Sequence, residues 1–306
     1  MFFIIPQYSI SVFKDNCCLT NNILHHIPCR NIINANHISV FMCRLFGSFS
    51  LDSLNPRQYL YQDKCSLLNQ SNANPSEKQA HGWGLAYLED KVKVVKSPGA
   101  IFDEVPQFKD MVGKIDSPIV LAHIRRMSNP RRLPRKKLIS MENTQPFSIP
   151  DLMFIHNGAV NKPNEVDIGK YRTLVKGDND SEVLFWLLVK ELEEEKQIEK
   201  ALISVERTLN ATVEKGKKPF TAINMIFSDG KVFHAYNSYT YQPMNSLCSS
   251  KQGYYSMSYL VKKDRIIVMS EPSNLDDNWQ ILNNHEMLSA RIEDRKLSYS
   301  IVRIRV

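Results

Sequence analysis

Short apolar runs, rich in β-branched and aromatic residues, recur along the chain from residue 43 onward and predict β-strands. They read CRLFGSF, GWGLAYL, VKVVK, PIVLAHI, LMFIH, TAINMIF, VFHAYN, YYSMSYLV, RIIVMS and YSIVRIRV. Residues 181–209 instead place apolar positions at helical spacing beside charged faces and predict two helices, and residues 102–115 predict a shorter one. Strands in two batches with helices between them indicate an α+β fold rather than alternating βαβ units.

Residues 1–42 do not continue this pattern. They are rich in Asn, Ile and His, show no sustained period, and carry only Lys14, Asp15 and Arg30 as charged residues. The segment lacks the positive start and the long apolar centre of a signal peptide, and no run in the chain approaches the 18 or so apolar residues that cross a bilayer. We therefore expect a leader with little structure of its own, a cytoplasmic protein and no membrane partner.

Composition and charge narrow the class further. The 306 residues are 43% hydrophobic, which is enough for one large domain or two small ones. Much of the formal charge of +7 comes from the segment RRLPRKK at 131–137. No aromatic residues interleave with these basic residues, so we expect a solvated loop and no nucleic-acid partner. Polyanion binding through this loop stays open as an alternative, and its affinity would fall steeply with salt.

Cysteine usage bears on the cellular compartment and on metal binding. The six cysteines, at positions 17, 18, 29, 43, 65 and 248, do not form the dense pattern of a disulfide scaffold in a chain of this length. No CxxC pair occurs with a second pair or with histidines, so we expect no zinc site. These observations favour a reducing compartment and a protein without a metal.

Cys43 directly follows Met42 and opens the first predicted strand. A free cysteine is most often a small buried hydrophobic residue. If Cys43 is instead the first residue of the working protein, its own α-amino group can accept the proton of the thiol. Such an amine titrates near pH 7.7–8.0, so a substantial fraction is unprotonated at neutral pH. The alternatives are thus a structural residue and an N-terminal nucleophile.

Three further segments contain candidate binding groups. In FIHNGAV, Asn157 and Gly158 form either a turn or a pair of donors for an oxyanion. In LAHIRRMSNP, strand alternation places Arg125 and Arg126 on opposite faces, so only one of these arginines can bind a substrate carboxylate. In GDNDSEV, Asp180 either caps a helix as its N-cap residue or holds the ammonium of an amino acid.

HGWG at 81–84 and ENTQPF at 142–147 are weaker signals. Each is a polar or glycine-rich segment that leads into a predicted strand. His81 is either a structural loop histidine or part of a pocket, and Gly82 follows it directly.

Taken in order, MCRLFG, HGWG, AHIRRMS, ENTQPF, IHNGAV and DNDSEV resemble the glutamine amidotransferase domain of class II, which belongs to the N-terminal nucleophile hydrolases. The similarity extends from Cys43 to at least Val183. VMSEPSN at 268–274 resembles the Ser-Glu-Pro stretch of the stand-alone, YafJ-like members. The order of six short motifs is far more specific than any one of them.

The resemblance implies a four-layer αββα sandwich of two antiparallel sheets and a defined set of site residues. Cys43 matches the nucleophile, and Asn157 and Gly158 match the oxyanion hole. The residues expected to bind substrate are Arg125 and Ser128 for the α-carboxylate, Asp180 for the α-ammonium, and His81 and Gly82 in the pocket. Many members have tryptophan where this chain has Arg126, so the pocket wall at that point differs.

The implied reaction is attack of Cys43 on the side-chain amide of glutamine or of a γ-glutamyl compound. It forms a thioester, releases ammonia or an amine, and needs no metal or organic cofactor. The domain expected to do this is 43–306, which leaves no room for a fused synthase, so a separate ammonia-accepting synthase or a hydrolase function is expected. A non-catalytic regulatory or binding module with the same fold is the alternative.

Residues 1–42 pose a problem for this chemistry, because in the intact chain the nitrogen of Cys43 is an amide and cannot act as a base. Three explanations are open: Met42 is the true start and is removed, residues 1–42 are a cleaved propeptide, or the chain is an inactive homologue. The first is favoured because members of the family usually begin with Met-Cys.

Overall fold

The computed structural model describes residues 43–75, 78–127, 129, 132–240, 248 and 252–306. The predicted leader and Ser128 lie outside the described residues. Thirteen strands are found in the described part of the chain: β1 Arg44–Leu54, β2 Trp83–Leu88, β3 Val92–Ser97, β4 Ser117–Ile124, β5 Phe147–Ile149, β6 Leu152–Val160, β7 Phe220–Ser228, β8 Val232–Asn237, β9 Met257–Lys262, β10 Arg265–Met269, β11 Gln280–Leu282, β12 Glu286–Glu293 and β13 Lys296–Arg303.

Helices fill the connections between these strands. The α-helices are α1 Leu67–Gln70, α2 Val105–Gly113, α3 Arg135–Leu138, α4 Asp180–Glu195 and α5 Ile198–Ala211. Shorter helical turns of other types span Gln58–Gln62, Pro163–Glu165 and Gly169–Leu174. The predicted division of residues 181–209 into two helices is confirmed, as is the shorter helix within 102–115. No helix in the described ranges has both the length and the apolar character needed to cross a membrane.

The strands form two antiparallel sheets. One sheet has the order β11-β9-β10-β1-β4-β2-β3 and the other β13-β12-β8-β7-β6-β5. The strand β1 is central in the first sheet, paired with β4 on one side and β10 on the other. The strand β6 lies between β5 and β7 in the second sheet.

Strand alternation distributes the buried side chains among three apolar layers. Between the two sheets, Leu45 of β1 and Leu121 of β4 pack in one cluster with Ile155 of β6. The outer face of the first sheet packs with Phe108 of α2, and the outer face of the second sheet packs with α4 and α5. The predicted αββα sandwich of two antiparallel sheets is therefore confirmed.

Three strands, β5, β11 and β12, were not among the predicted runs. The first two are only three residues long. The strand β12 has the sequence EMLSARIE, in which charged and small residues interrupt the apolar positions. It nevertheless pairs with both β8 and β13. Pairing with these neighbouring strands stabilises it as a strand, although its own sequence does not predict one.

The cysteine spacing did not predict the one disulfide found among the described residues. Cys65 and Cys248 form this bond across a sequence separation of 183 residues. Their two sulfur atoms and a carboxylate oxygen of Glu271 all lie within 4.8 Å of one another. Two cysteines so far apart in sequence carry no local signal of pairing, and only the fold brings them together. Among the described residues, Cys43 is the one free cysteine.

Candidate active site

Cys43 lies at the point where the two sheets approach each other. Its backbone N–H donates to Oδ1 of Asn157 on β6 at 3.0 Å, and its thiol lies 3.7 Å from the backbone carbonyl oxygen of Arg126. The side chain is almost fully buried. The β1–β4 ladder pairs Arg44 with Ile124, so Cys43 stands beside Arg125 at the end of the same ladder. Three of the predicted site residues are thus brought together.

Asn157 and Gly158 are residues of β6 and do not form a turn, so the turn alternative is wrong. Alternation places Asn157 with Ile155 on the face between the sheets, toward Cys43. Because Oδ1 of Asn157 accepts from Cys43, the Nδ2 end of this amide is the donor end. The Asn157 amide thus contacts Cys43 through its oxygen, and its Nδ2 group remains a hydrogen-bond donor.

Gly158 has a backbone conformation that only glycine adopts readily. Its φ is +147°, and a Cβ atom at this position would lie against the backbone carbonyl of Ala222 on the neighbouring strand β7, far inside van der Waals distance. The absence of a side chain lets β6 run close to β7 at the position after Asn157.

We expect Gly158→Ala to lower the free energy of unfolding by about 3 kcal/mol, because strain and a backbone clash add at one position. Urea denaturation monitored by circular dichroism measures this. Gly113→Ala is the matched control, since a Cβ there meets nothing within 4 Å and alanine suits a helix end at least as well. Equal stability of the two variants would show that β6 can move to accommodate a side chain.

Arg125 is held rigidly by the backbone around it. Its Nη1 donates to the carbonyl oxygens of Leu138 at 2.6 Å and of His81 at 3.3 Å, and its backbone exchanges hydrogen bonds with His81 and Gly82. Burial lowers the pKa of this guanidinium, while Cys43 and Asp180 act in the opposite direction. Nη1 of the guanidinium is thereby fixed, and Nε and Nη2 take no part in these hydrogen bonds.

Asp180 is the first residue of α4, and the N-cap residue is Asn179, whose Oδ1 accepts from the N–H of Ser181 at 3.0 Å. The capping role expected for Asp180 is therefore wrong. Its Oδ2 accepts instead from the backbone N–H of Val160 at the end of β6, at 2.7 Å. This contact fixes a half-exposed carboxylate that acts electrostatically on both Cys43 and Arg125.

His81 and Gly82 border Arg125 through the backbone contacts just described. Nδ1 of His81 accepts from the backbone N–H of Met127 at 3.1 Å. Burial lowers the pKa of this imidazole to about 4, and the guanidinium groups of Arg135, Arg125 and Arg126 contribute in the same direction. His81 is therefore neutral at pH 7. Gly82 has φ +123°, and a Cβ there would meet the side chain of Thr144.

A buried ion pair next to Cys43 was missed by the sequence reasoning. Arg44 and Glu271 have fully buried side chains 3.1 Å apart, and Nη1 of Arg44 donates to the carbonyl of Cys43 at 3.3 Å. The guanidinium also lies 4.1 Å from the ring centroid of Tyr254. Glu271 belongs to the VMSEPSN stretch, and its Oε2 accepts from the N–H of Cys248 at 2.6 Å. The VMSEPSN motif drew attention to Glu271. Nothing in the sequence indicated that Arg44 is its partner, apart from the position of Arg44 directly after Cys43.

Burial controls the protonation of the Cys43 thiol. It raises the pKa to about 11, since the thiolate would lose hydration, and a backbone hydrogen bond with Arg126 and the guanidinium of Arg125 offset only part of this effect. At neutral pH the sulfur is therefore protonated and needs a base before it can attack a carbonyl. In the chain with residues before Cys43, the neighbouring nitrogen is an amide and cannot be that base.

Alkylation by iodoacetamide tests the raised pKa of the Cys43 thiol in the chain that retains residues before Cys43. Only the thiolate reacts, so we expect the rate to rise about tenfold per pH unit from pH 7 to pH 10 without a plateau. Mass spectrometry of the Cys43 peptide follows the reaction specifically. A plateau near pH 8.5, the ordinary value for a thiol, would contradict the effect of burial.

Comparison with known proteins identifies the family of this chain. The family model for class II glutamine amidotransferases matches residues 42–295, so the chain belongs to this family of enzymes. Over 169 residues it is 29% identical to an uncharacterized protein of Methanocaldococcus jannaschii, a match that covers 54% of this chain and 44% of that relative. The chain thus spans less than half the length of this curated relative.

Two solved structures share the fold. A glutamine aminotransferase class-II domain protein from Silicibacter pomeroyi aligns with a TM-score of 0.52 at 17% identity, covering 84% of this chain and 98% of that one. The glutamine phosphoribosylpyrophosphate amidotransferase from B. subtilis aligns with a TM-score of 0.55 at 16% identity, covering 86% of this chain and 50% of that one. At these identities the likeness concerns the fold.

Proposed function

We propose that this protein hydrolyses the γ-amide of glutamine or of a γ-glutamyl compound through a thioester on Cys43. The observation that carries the proposal is the hydrogen bond of 3.0 Å between the Cys43 nitrogen and Asn157. It supports the proposal because the nitrogen of Cys43, which would become the α-amine, is in contact with the side-chain amide of Asn157. No metal or organic cofactor enters the proposed reaction.

In the proposed mechanism the working enzyme begins at Cys43. Its free α-amine takes the proton of the thiol, which burial otherwise holds in the neutral form. The sulfur attacks the γ-carbonyl, and the Nδ2 donor of Asn157 and the backbone N–H of Gly158 stabilise the oxyanion. The protonated amine then gives its proton to the departing ammonia or amine, and water releases glutamate from the thioester.

Substrate binding in this proposal divides between two charged groups. The free edge of the Arg125 guanidinium binds the α-carboxylate, and the carboxylate of Asp180 binds the α-ammonium. Ser128, outside the described residues, stays a predicted contact to the same carboxylate. The released ammonia goes to water or to a separate synthase, and residues 1–42 are either an upstream extension or a segment removed before activity.

Asp180→Asn tests the substrate assignment. Asparagine keeps an oxygen for the N–H of Val160, so the fold is preserved, but it removes the charge that holds the ammonium. We expect the KM for glutamine to rise about 10- to 100-fold. Glutaminase activity is measured by coupled detection of glutamate, with the N-terminus verified by intact mass.

Asp178→Asn is the matched control, because Asp178 lies two residues before Asp180 but pairs with the exposed Lys137 at 3.0 Å. Its KM should stay within about twofold of the wild type. A wild-type KM in Asp180→Asn would remove this residue from substrate binding. A processed wild-type protein that releases no glutamate from any γ-glutamyl compound would favour the non-catalytic module.

A further inference from the structure

The main chain of Cys43 is held by side chains at both of its ends. Its N–H donates to Oδ1 of Asn157 at 3.0 Å, and its carbonyl oxygen accepts from Nη1 of Arg44 at 3.3 Å. Cys43 precedes β1, and the ladder between β1 and β4 begins at Arg44. In a chain that begins at Cys43, no earlier residue restrains this one, so these two side-chain contacts set where its amine and its sulfur lie.

The guanidinium of Arg44 is fixed for this contact by Glu271. Nη2 of Arg44 lies 3.1 Å from Oε1 of Glu271, and both side chains are fully buried. The two terminal nitrogens of one planar fork therefore have different partners, because Nη2 pairs with the carboxylate while Nη1 donates to Cys43. Since an isolated buried charge is costly, the guanidinium stays beside its counter-charge.

The Cys65–Cys248 disulfide contacts the segment that carries Glu271. The backbone N–H of Cys248 donates to Oε2 of Glu271 at 2.6 Å, and the backbone N–H of Cys65 donates to the carbonyl oxygen of Ser273 at 2.9 Å. The disulfide therefore ties the donor to the Glu271 carboxylate to a backbone contact two residues further along the same segment. Because the other oxygen of Glu271 pairs with Arg44, a continuous series of contacts leads from the disulfide to the proposed nucleophile.

We propose that Arg44 and Glu271 are positioning residues for Cys43. The disulfide keeps these two residues in place, so the reaction depends on the oxidation state of that bond. The inference rests on the function proposed above and adds to it a means of regulation. Arg44 and Glu271 act through the main chain of Cys43 and do not bind the substrate, so the loss of their contact lowers kcat and leaves KM nearly unchanged.

Reduction of the disulfide by a dithiol is the regulatory step. Cys248 is exposed and Cys65 is buried, so a thiolate of the dithiol attacks the sulfur of Cys248. The bond to Cys65 breaks, and the sulfur of Cys65 leaves as a thiolate that takes up a proton. The second thiol of the reductant then attacks the mixed disulfide and releases the thiol of Cys248, while the reductant becomes a cyclic disulfide. Two electrons and two protons pass to the protein, and the N–H that binds Glu271 is no longer tethered to Cys65.

Arg44→Lys tests the positioning role in the chain that begins at Cys43. Lysine keeps a counter-charge for Glu271, but it has one nitrogen in place of the fork that contacts both partners. We expect kcat for glutamine to fall about 10- to 100-fold and KM to change by less than about twofold. The double variant Arg44→Met with Glu271→Leu removes both charges together and should show the same decrease in kcat. Circular dichroism verifies that each variant is folded at the assay temperature.

Glu206→Gln is the matched control for these variants. Glu206 is also a buried carboxylate, but it lies on α5 and accepts from the hydroxyl groups of Tyr236 and Ser238. Its kcat should stay within about twofold of the wild type, although its stability falls. A wild-type kcat in either variant of Arg44 would overturn the positioning role. An equal decrease in Glu206→Gln would also overturn it, because a loss of stability would then account for the effect.

Dithiothreitol tests the dependence on the disulfide. We expect kcat of the wild type to fall about tenfold when intact mass after alkylation of a sample shows that the bond is reduced, and to recover on re-oxidation. The double variant Cys65→Ser with Cys248→Ser should have the low kcat with and without reductant. An unchanged kcat in the reduced, folded wild type would refute the regulation and leave the proposed function standing. A processed wild type that hydrolyses no γ-glutamyl compound in either oxidation state would refute both.

Discussion

Cys43→Ala is expected to abolish glutamine hydrolysis by the processed enzyme, with kcat lowered by at least about 1000-fold. The reason is that the proposed reaction passes through a bond to this sulfur, and no other free thiol lies in the described part of the chain. Glutamate release under saturating glutamine measures the loss. The thermal midpoint should stay close to that of the wild type, because the substitution removes one sulfur atom at the residue before β1.

Cys43→Ser provides the matched comparison, since it keeps the size and a hydroxyl but raises the pKa of the nucleophile far above that of a thiol. Its kcat should be nearly as low as that of Cys43→Ala. Retention of more than about a tenth of the wild-type rate by Cys43→Ala would place the chemistry elsewhere.

Glu271→Gln is expected to have the largest effect on stability, lowering the free energy of unfolding by about 3–5 kcal/mol. The variant leaves the guanidinium of Arg44, which is fully buried, without a counter-charge. It also weakens the acceptor for the N–H of Cys248. Guanidinium chloride denaturation at pH 7 measures the loss, with the Cys65–Cys248 disulfide kept oxidised in all variants.

The surface pair Lys114–Asp110 supplies the control. Its atoms lie 2.6 Å apart, closer than the buried pair, but both side chains are more than half exposed. Asp110→Asn should therefore change stability by less than about 0.5 kcal/mol. The double variant Arg44→Met with Glu271→Leu should lose less than Glu271→Gln alone, since it removes both charges. If Glu271→Gln were no less stable than Asp110→Asn, the buried pair would contribute nothing.

Much of the fold could be predicted from the sequence, because the periodicity of its elements is strong. Short apolar runs such as PIVLAHI and LMFIH identify β4 and β6, and the helical spacing beside charged faces within 181–209 identifies α4 and α5. The strand β12 could not be found in this way, because its pairing with β8 and β13 depends on neighbours distant in sequence. The local pattern of apolar residues identifies individual strands and helices, whereas the order of strands in a sheet depends on contacts between distant parts of the chain.

The candidate site could be predicted in part for a related reason. Cys43, Asn157 and Arg125 each occur in a short motif at a strand end, and the two sheets bring those ends together. The N-cap alternative for Asp180 was wrong because Asn179, one position earlier, is an equally good cap and takes that role. The Arg44–Glu271 pair and the Cys65–Cys248 disulfide join segments with no shared local pattern, so only the folded structure reveals them.

The central claim is that the amine of Cys43 is the base for its own buried thiol. The most direct test compares glutamine hydrolysis by the chain that begins at Cys43 with hydrolysis by the same chain retaining one additional residue before it, each verified by intact mass. We predict activity in the first and at least about a 1000-fold lower kcat in the second, because the nitrogen is then an amide. Equal activity of the two chains would contradict the account.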